Sequence, residues 1–273
     1  MQTLPVYVIS LKDADERRSL ITQHLNALGI EHEIMDAVSG DALSPEYLQE
    51  INPARNMSPG QIGCYLSHIR LYARIIAQQT PVALVLEDDT VVHTSITSLV
   101  TDGCRSLAFD YCFLGSDDSG DAGYVFYDSA APMPLSNQLT AYPMSSGPFC
   151  THAYLITLEG AKKRLACAYP ARSAIDHYQG LPYKPRLLAV VPMLAFVNEL
   201  SAVQSMSSLN WSGLQKVARK YWWYYPLRDA LKLKALWKWL ALQQAQFPGS
   251  GRWRSFESAF KVVPQSRLKE KVQ

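Results

Sequence analysis

Nowhere does this sequence contain an apolar run long enough to cross a bilayer as a helix, which needs about 20 consecutive, mostly apolar residues. No spanning helix is expected within it. Cysteine is scarce: the five residues Cys64, Cys104, Cys112, Cys150 and Cys167 are odd in number and include no CxxC pair, so no disulfide framework is indicated. Met1–Leu11 is too short and lacks the basic start of a secretory signal, which makes a reducing cytoplasm the expected compartment. No internal repeat is present, which excludes a solenoid or propeller. Tryptophan is missing from the first 210 residues.

What the chain does have is unevenly distributed. Apolar residues make up 48% of 273 positions, enough for a substantial core. The net charge of +2 conceals a division at residue 210: 13 Lys and Arg against 21 Asp and Glu before it, 13 against 3 after it. All six tryptophans (Trp211, Trp222, Trp223, Trp237, Trp239, Trp253) lie in the basic part. Two chemically different regions, 1–210 and 211–273, are therefore expected.

Pro5–Leu11 is a short β-branched and aromatic run, followed by Ile21, Leu25 and Leu28 at helical spacing before Gly29. Ile30–Ala37 reads as a second strand, completing a βαβ unit with a right-handed crossover. Ser58-Pro-Gly-Gln61 has the pattern of a capping box with proline at the first helical position. Behind it, Ile62, Leu66, Ile69, Ala73 and Ile76 form one apolar stripe. Pro81 ends that helix region, and Val82–Leu86 reads as a fully buried strand emptying into Glu87-Asp88-Asp89. Further strands are expected at Tyr111–Leu114, Ala153–Thr157 and Leu187–Val191. The Pro/Ser/Gly-rich stretch Ala131–Gly147 is expected to be a loop, long enough to serve as an active-site lid.

Three carboxylates at the end of a buried strand repel one another unless a cation or water neutralises them. Ligands of open α/β sheets bind at this end of the strands. If strand geometry persists, Glu87 and Asp89 project to one side and make a hard-oxygen site for Mn²⁺ or Mg²⁺, completed by substrate phosphates. Such a cation would stabilise a departing pyrophosphate. The competing reading is a solvated acidic turn.

The pieces Val6–Arg18 (VYVISLKDADERR), Asp36–Gly40 (DAVSG), Ser58–Ile69 (SPGQIGCYLSHI), Val82–Asp89 (VALVLEDD), Gly147–Ile156 (GPFCTHAYLI) and Ile175–His177 (IDH) together resemble glycosyltransferase family 25, the bacterial lipooligosaccharide galactosyltransferases related to the collagen galactosyltransferases. The resemblance covers roughly residues 5–205 and leaves out the tail. It implies a GT-A-type, Rossmann-like mixed sheet flanked by helices, a UDP-sugar donor, a divalent metal, and inversion to a β-linkage. It also implies that Glu87-Asp88-Asp89 occupies the place of an Asp-x-Asp motif. Asp89 would then ligate the metal, while Glu87 and Asp88 share its waters and the donor ribose.

Ser10 and Leu11 end the first strand, where a uracil ring could meet the sheet edge. Arg17 or Arg18 could reach a phosphate; the alternative is an ordinary solvated helix face. Asp36 is either a ribose or uracil acceptor or a turn residue. Cys64 and His68 lie one helical turn apart, a pair assigned to structure rather than to metal, although Ser67 and His68 could line the donor pocket. For the general base that inversion requires, Asp176 is the candidate, against a reading as N-cap or loop carboxylate; His152 and His177 are in reserve. Asp117 and Asp118 are either acceptor ligands or a turn.

In the tail, Lys216–Lys238 interleaves basic residues with Tyr221-Trp-Trp-Tyr-Tyr225. A helical extension on an anionic membrane surface is expected there, the alternative being a helical cap on the catalytic domain. The acidic front half argues against nucleic acid. The leading expectation is a galactosyltransferase, peripheral on the inner face of the bacterial inner membrane, using UDP-galactose and a lipid-linked lipooligosaccharide acceptor. A UDP-glucose transferase, a metal phosphoesterase or nucleotidyltransferase, and a non-catalytic carbohydrate-binding module are the rivals.

Overall fold

The computed structural model describes residues 4–104, 108–115, 126–145, 147–148, 150–178, 180–197 and 253–255. The chain opens with strand β1 (Val6–Ser10), helix α1 (Asp15–Ala27) and strand β2 (Glu33–Asp36), which pairs parallel to β1. Gly29, at φ 66°, supplies the left-handed turn that ends α1. After a short helix α2 (Pro45–Ile51) comes α3 (Pro59–Ala77), where Ser58 and Gln61 form the expected reciprocal capping box. Strand β3 (Val82–Glu87) pairs parallel to β1 on the side away from β2. The acidic triplet therefore stands at the point where the chain, having built the sheet one way, reverses to the other, and a crevice opens at the carboxyl ends of such strands.

The sheet continues through β5 (Tyr111–Phe113), β9 (Ala153–Thr157) and β10 (Leu187–Val190). Its order is β2-β1-β3-β9-β5-β10, followed by β8 (Thr140–Pro143) and β7 (Met133–Pro134), with β9 antiparallel to both neighbours. Near-continuous apolar strands fit burial on both faces. One face carries Tyr7, Val85, Tyr111, Tyr154 and Ile156 against Ile62, Leu66, Ile69 and Tyr72 of α3. The other carries Val8, Leu84, Leu86, Cys112 and Leu155 against Ile21 and Leu25 of α1 and Leu99 of α4 (Ile96–Asp102). Alternate strand residues thus supply opposite layers, each fully buried aliphatic side chain contributing ~1.5–3 kcal/mol. This is the mixed sheet flanked by helices expected of the GT-A type.

The stretch Ala131–Gly147 is not a lid-like loop. It forms β7 (Met133–Pro134) and β8 (Thr140–Pro143), the outer strands of the main sheet, with β8 antiparallel to β10. The turn between them is closed by Leu135 N–H donating to the Leu139 carbonyl at 2.8 Å, and Leu135, Leu139 and Ala141 are buried. Pro134 is tolerated because β7 is the edge of the sheet, whereas Pro143 stands at the end of β8, which is paired on both sides.

Two small ribbons complete the described fold. Strand β4 (Thr90–Val92), directly after the triplet, pairs with β11 (Ala195–Val197), and β12 (Trp253–Ser255) pairs antiparallel with β6 (Phe126–Asp128). The tail therefore places one strand on the domain that precedes it. Its other residues, with the helical, membrane-facing character expected of them, lie outside the described residues, as do Asp117 and Asp118.

Candidate active site

The carboxyl ends of β1, β2 and β3 bring the sequence-predicted residues into one polar cluster. Buried Ser10 donates its hydroxyl to Asp88 Oδ2 at 2.6 Å, and Arg17 Nη1 lies 3.3 Å from Asp88 Oδ1. Arg18 donates to the carbonyls of Ser10 and Leu11, each at 2.8 Å, and to Asp36 at 2.6 Å. Both arginines thus have carboxylate partners at the strand ends, and the half-buried Leu11 contributes its backbone. Ser67 accepts from Val38 N–H at 2.8 Å and donates to the Gly63 carbonyl, pinning the loop after β2 onto α3.

Beyond Glu87 the strand stops, and Asp88-Asp89 form a turn. Strand alternation accordingly does not set the direction of Asp89. It is nonetheless coupled to both neighbours. Burial first, then the charges of Glu87 and Asp88, push its acid up to about 7. Asp89 Oδ1 is buried without a hydrogen-bond partner. Asp110, buried at the opposite end of β5, has Lys163 at 2.8 Å and Arg186 at 3.0 Å. Asp110 is answered by two protein cations at ion-pair distance; for Asp89 the charge of Arg17 opposes the rise without reversing it.

Glu87 is held from the opposite side. Thr151 donates its hydroxyl to Glu87 Oε1, and His68 Nε2 lies 3.5 Å from the same oxygen. Burial raises the Glu87 acid, but the His68 and Thr151 contacts outweigh it and leave a net lowering. His68 has no exposed surface, and its Nδ1 is 2.7 Å from the Tyr154 hydroxyl, itself 2.8 Å from that of Tyr72. The His152 carbonyl accepts from Glu87 N–H at 2.9 Å and from the Thr90 hydroxyl at 2.7 Å.

Asp176, well beyond the triplet in the sequence, lies close enough to this group to feel the charges of Glu87 and His68. Burial chiefly raises its acid, with Glu87 adding to the rise and His177 and His68 opposing it. Its position depends on two contacts. Buried Arg164 donates to the Ile175 carbonyl at 3.3 Å, and Gly147 lies so close to the Tyr178 ring that a Cβ there would collide with it. Among the described residues, Glu87, Asp88, Asp89 and Asp176 form a carboxylate-rich site rimmed by Arg17 and Arg18.

Residues 3–179 match the family model described as "Glycosyltransferase family 25 (LPS biosynthesis protein)". The chain belongs to glycosyltransferase family 25. A "Glycosyltransferase 25 family member" of Anopheles gambiae is 28% identical over 176 residues, covering 59% of this chain and 28% of that protein. "Procollagen galactosyltransferase 1-A" of Xenopus laevis is 27% identical over 183 residues, with 59% and 28% covered. "Inactive glycosyltransferase 25 family member 3" of Mus musculus is 24% identical over 177 residues, again with 59% and 28% covered. The chain thus spans under a third of the length of these relatives. Among solved structures, a glycosyltransferase involved in glycosylation of the major capsid of PBCV-1 aligns at TM-score 0.35 and 9% identity, over 67% of this chain and 72% of that one.

Within this family 25 chain, three contributors escaped the sequence reading. Thr151 anchors Glu87, Tyr154 orients His68, and Gly115 admits the His152 ring and the Ala195 carbonyl against the end of β5. Tyr154 lies in β9 and Thr151 just before it; both types ordinarily signal strand propensity, so type alone carried no hint of the site. The hint was position: the register that sets Leu86 opposite Ala153 brings the residues before β9 beside the triplet.

Proposed function

We propose that this family 25 glycosyltransferase is an inverting, divalent-cation-dependent galactosyltransferase that moves galactose from UDP-galactose to a lipooligosaccharide or lipopolysaccharide glycan, forming a β-linkage. The observation that carries the reading is Asp89: a buried carboxylate oxygen without a partner, beside two further carboxylates, at the sheet's switch point. The donor set fits Mn²⁺ or Mg²⁺, both of which prefer oxygen ligands and share their shell with phosphates. Asp89 and Glu87 would hold the ion, which when bound would neutralise charge on the departing diphosphate.

The protein's own residues have separate tasks. Ser10 and Arg17 favour the charged form of Asp88 against burial and hold it in place, and Arg18 ties the ends of β1 and β2 together next to Asp36, so the floor under the nucleotide is rigid. Asp176 takes the proton from the acceptor hydroxyl. Burial raises its acid towards the working range of a general base near neutral pH. The name of the Xenopus relative supports galactose, and the family description supports an LPS-type acceptor. UDP-glucose is the nearest alternative donor, because the two sugars differ by one hydroxyl orientation. A non-catalytic carbohydrate-binding module is the other reading, and a relative named inactive favours keeping it under test.

The basic, tryptophan-rich tail supports peripheral attachment to the inner face of the bacterial inner membrane. Lys232, Lys234 and Lys238 would each contribute on the order of 1 kcal/mol at an anionic surface. Changing all three to Gln should abolish flotation with anionic liposomes; unchanged flotation would refute the attachment. Catalysis is tested by UDP release from UDP-galactose with a lipooligosaccharide extract, with and without Mn²⁺. Turnover requiring both acceptor and metal establishes the transferase. Saccharide binding without turnover on either UDP-sugar would establish the binding module instead.

A further inference from the structure

Cys64 and His68 present their side chains from successive turns of α3, and the fold adds a third group that lies elsewhere in the sequence. The ligand atoms of Cys64, His68 and Glu87 all lie within 4.8 Å of one another. We propose that these three residues form a second cation site, selective for a borderline-soft divalent ion of the zinc class, adjoining the carboxylate site and sharing Glu87 with it.

The ligand types point to that class. Thiolate and imidazole favour zinc over magnesium or manganese, and a Cys-His-carboxylate set with an open fourth position is within zinc's range. Ligand atoms about 2.0–2.3 Å from a tetrahedral ion stand roughly 3.3–3.7 Å apart, so side-chain rotations of about 1 Å would close the site.

The arrangement of His68 is the independent observation. Its ring is fully buried, and Nε2 faces Glu87 Oε1 at 3.5 Å without making a hydrogen bond. Its Nδ1 is engaged at 2.7 Å by Tyr154, which is backed by Tyr72. Imidazole ligands of zinc are oriented in this way, the distal nitrogen bound to an outer partner so that the other offers its lone pair to the ion. Cys64 is half-buried, and burial with the nearby charges of Glu87, Asp176 and Asp89 pushes its thiol up, which a cation at this place would offset. On binding, its thiol proton passes to solvent and sulfur coordinates as thiolate. The Tyr154 contact and the 3.5 Å approach to Glu87 also suit a structural histidine; what adds a cation's ligand set is the Cys64 sulfur within 4.8 Å of both.

The ligand chemistry does not depend on the transferase reading, and its test needs no turnover. Full-length protein is titrated with Co²⁺, then Zn²⁺. The expected result is a near-ultraviolet thiolate-to-cobalt charge-transfer band with visible bands of tetrahedral coordination, both erased by one equivalent of Zn²⁺. Cys64→Ser should remove the thiolate band, whereas Cys150→Ser and Asp89→Asn should keep it. Tyr154→Phe should keep the band while weakening Zn²⁺ binding about 10–100-fold, the usual effect of losing an outer-shell partner. Should Cys64→Ser fail to fold, wild type, Cys150→Ser and Tyr154→Phe still decide. Oxygen-type octahedral spectra in the wild type, a band surviving Cys64→Ser, or a band lost with Cys150→Ser would each overturn the site.

Discussion

Ser10 and Asp88 stand 78 positions apart in the sequence and meet in a 2.6 Å hydrogen bond between buried side chains. That bond joins the ends of two adjacent parallel strands, and Arg17 completes it with the charge Asp88 needs at this depth. Burial shifts the Asp88 acid upward, and these two partners oppose that rise.

Arg17→Met should accordingly be the most destabilising change among the site's cations. Removing one member of a buried ion pair leaves the other uncompensated and costs about 3–5 kcal/mol; Ser10→Ala removes a bond to a charged group and should cost ~1.5–3 kcal/mol. Urea denaturation checks the order. A smaller loss in Arg17→Met than in Ser10→Ala would mean that the hydroxyl, not the charge, sustains Asp88.

Asp89→Asn should separate stability from activity. Turnover is expected to fall by a factor of roughly 10²–10³, the scale of losing one preorganised electrostatic group, while the metal-free protein becomes more stable because one of three repelling charges is gone. The pH dependence follows from linkage. An acid raised from 3.8 to about 7 on folding binds more protons in the native state. Its stabilising contribution is complete below the unfolded value and disappears as pH rises to the folded value. Thermal unfolding of the metal-free wild type should therefore lose ground to Asp89→Asn across this interval, and parallel profiles would contradict the assignment.

Asp176→Asn should reduce kcat about 10²–10⁴-fold, the usual range for a general base, with UDP-galactose affinity unchanged by calorimetry. Loss of donor affinity with kcat preserved would move Asp176 from base to binding residue.

Gly147→Ala should act on the same segment by crowding. The added methyl meets Tyr178, whose ring is fixed by edge-on contacts to Tyr111 at 5.1 Å and Phe113 at 5.2 Å. Overpacking of this kind costs ~1–3 kcal/mol. Displacement should carry Asp176 with it, so kcat falls more than donor affinity. Wild-type stability together with wild-type kcat would show that the segment yields freely.

Zinc should inhibit the Mn²⁺-supported reaction, because the two ions compete for Glu87. A chelator that removes zinc should restore rates, and the concentration for half-inhibition should rise at least ~10-fold in Cys64→Ser, as expected for a lost ligand if it matches the outer-shell scale. Equal zinc sensitivity in wild type and variant would place the inhibition elsewhere.

Local chemistry, carried by contiguous residues, was open to the sequence by itself. The capping box at Ser58, the stop at Gly29, the apolar strand Val82–Leu86 and the carboxylates after it depend on neighbours a few positions away. The short motifs placed the chain in its family on the same footing. Contacts between distant segments were decided only by the tertiary structure. The two outer strands hidden in Ala131–Gly147, the Thr151 and His68 contacts to Glu87, and the proximity of Asp176 to them arise from strand order and register, over separations such as the 64 residues between Glu87 and Thr151. Cys64 and His68 show the division plainly: their helical spacing was visible from the start, whereas the third group of the proposed site arrives on β3, from the other side of the helix–sheet interface.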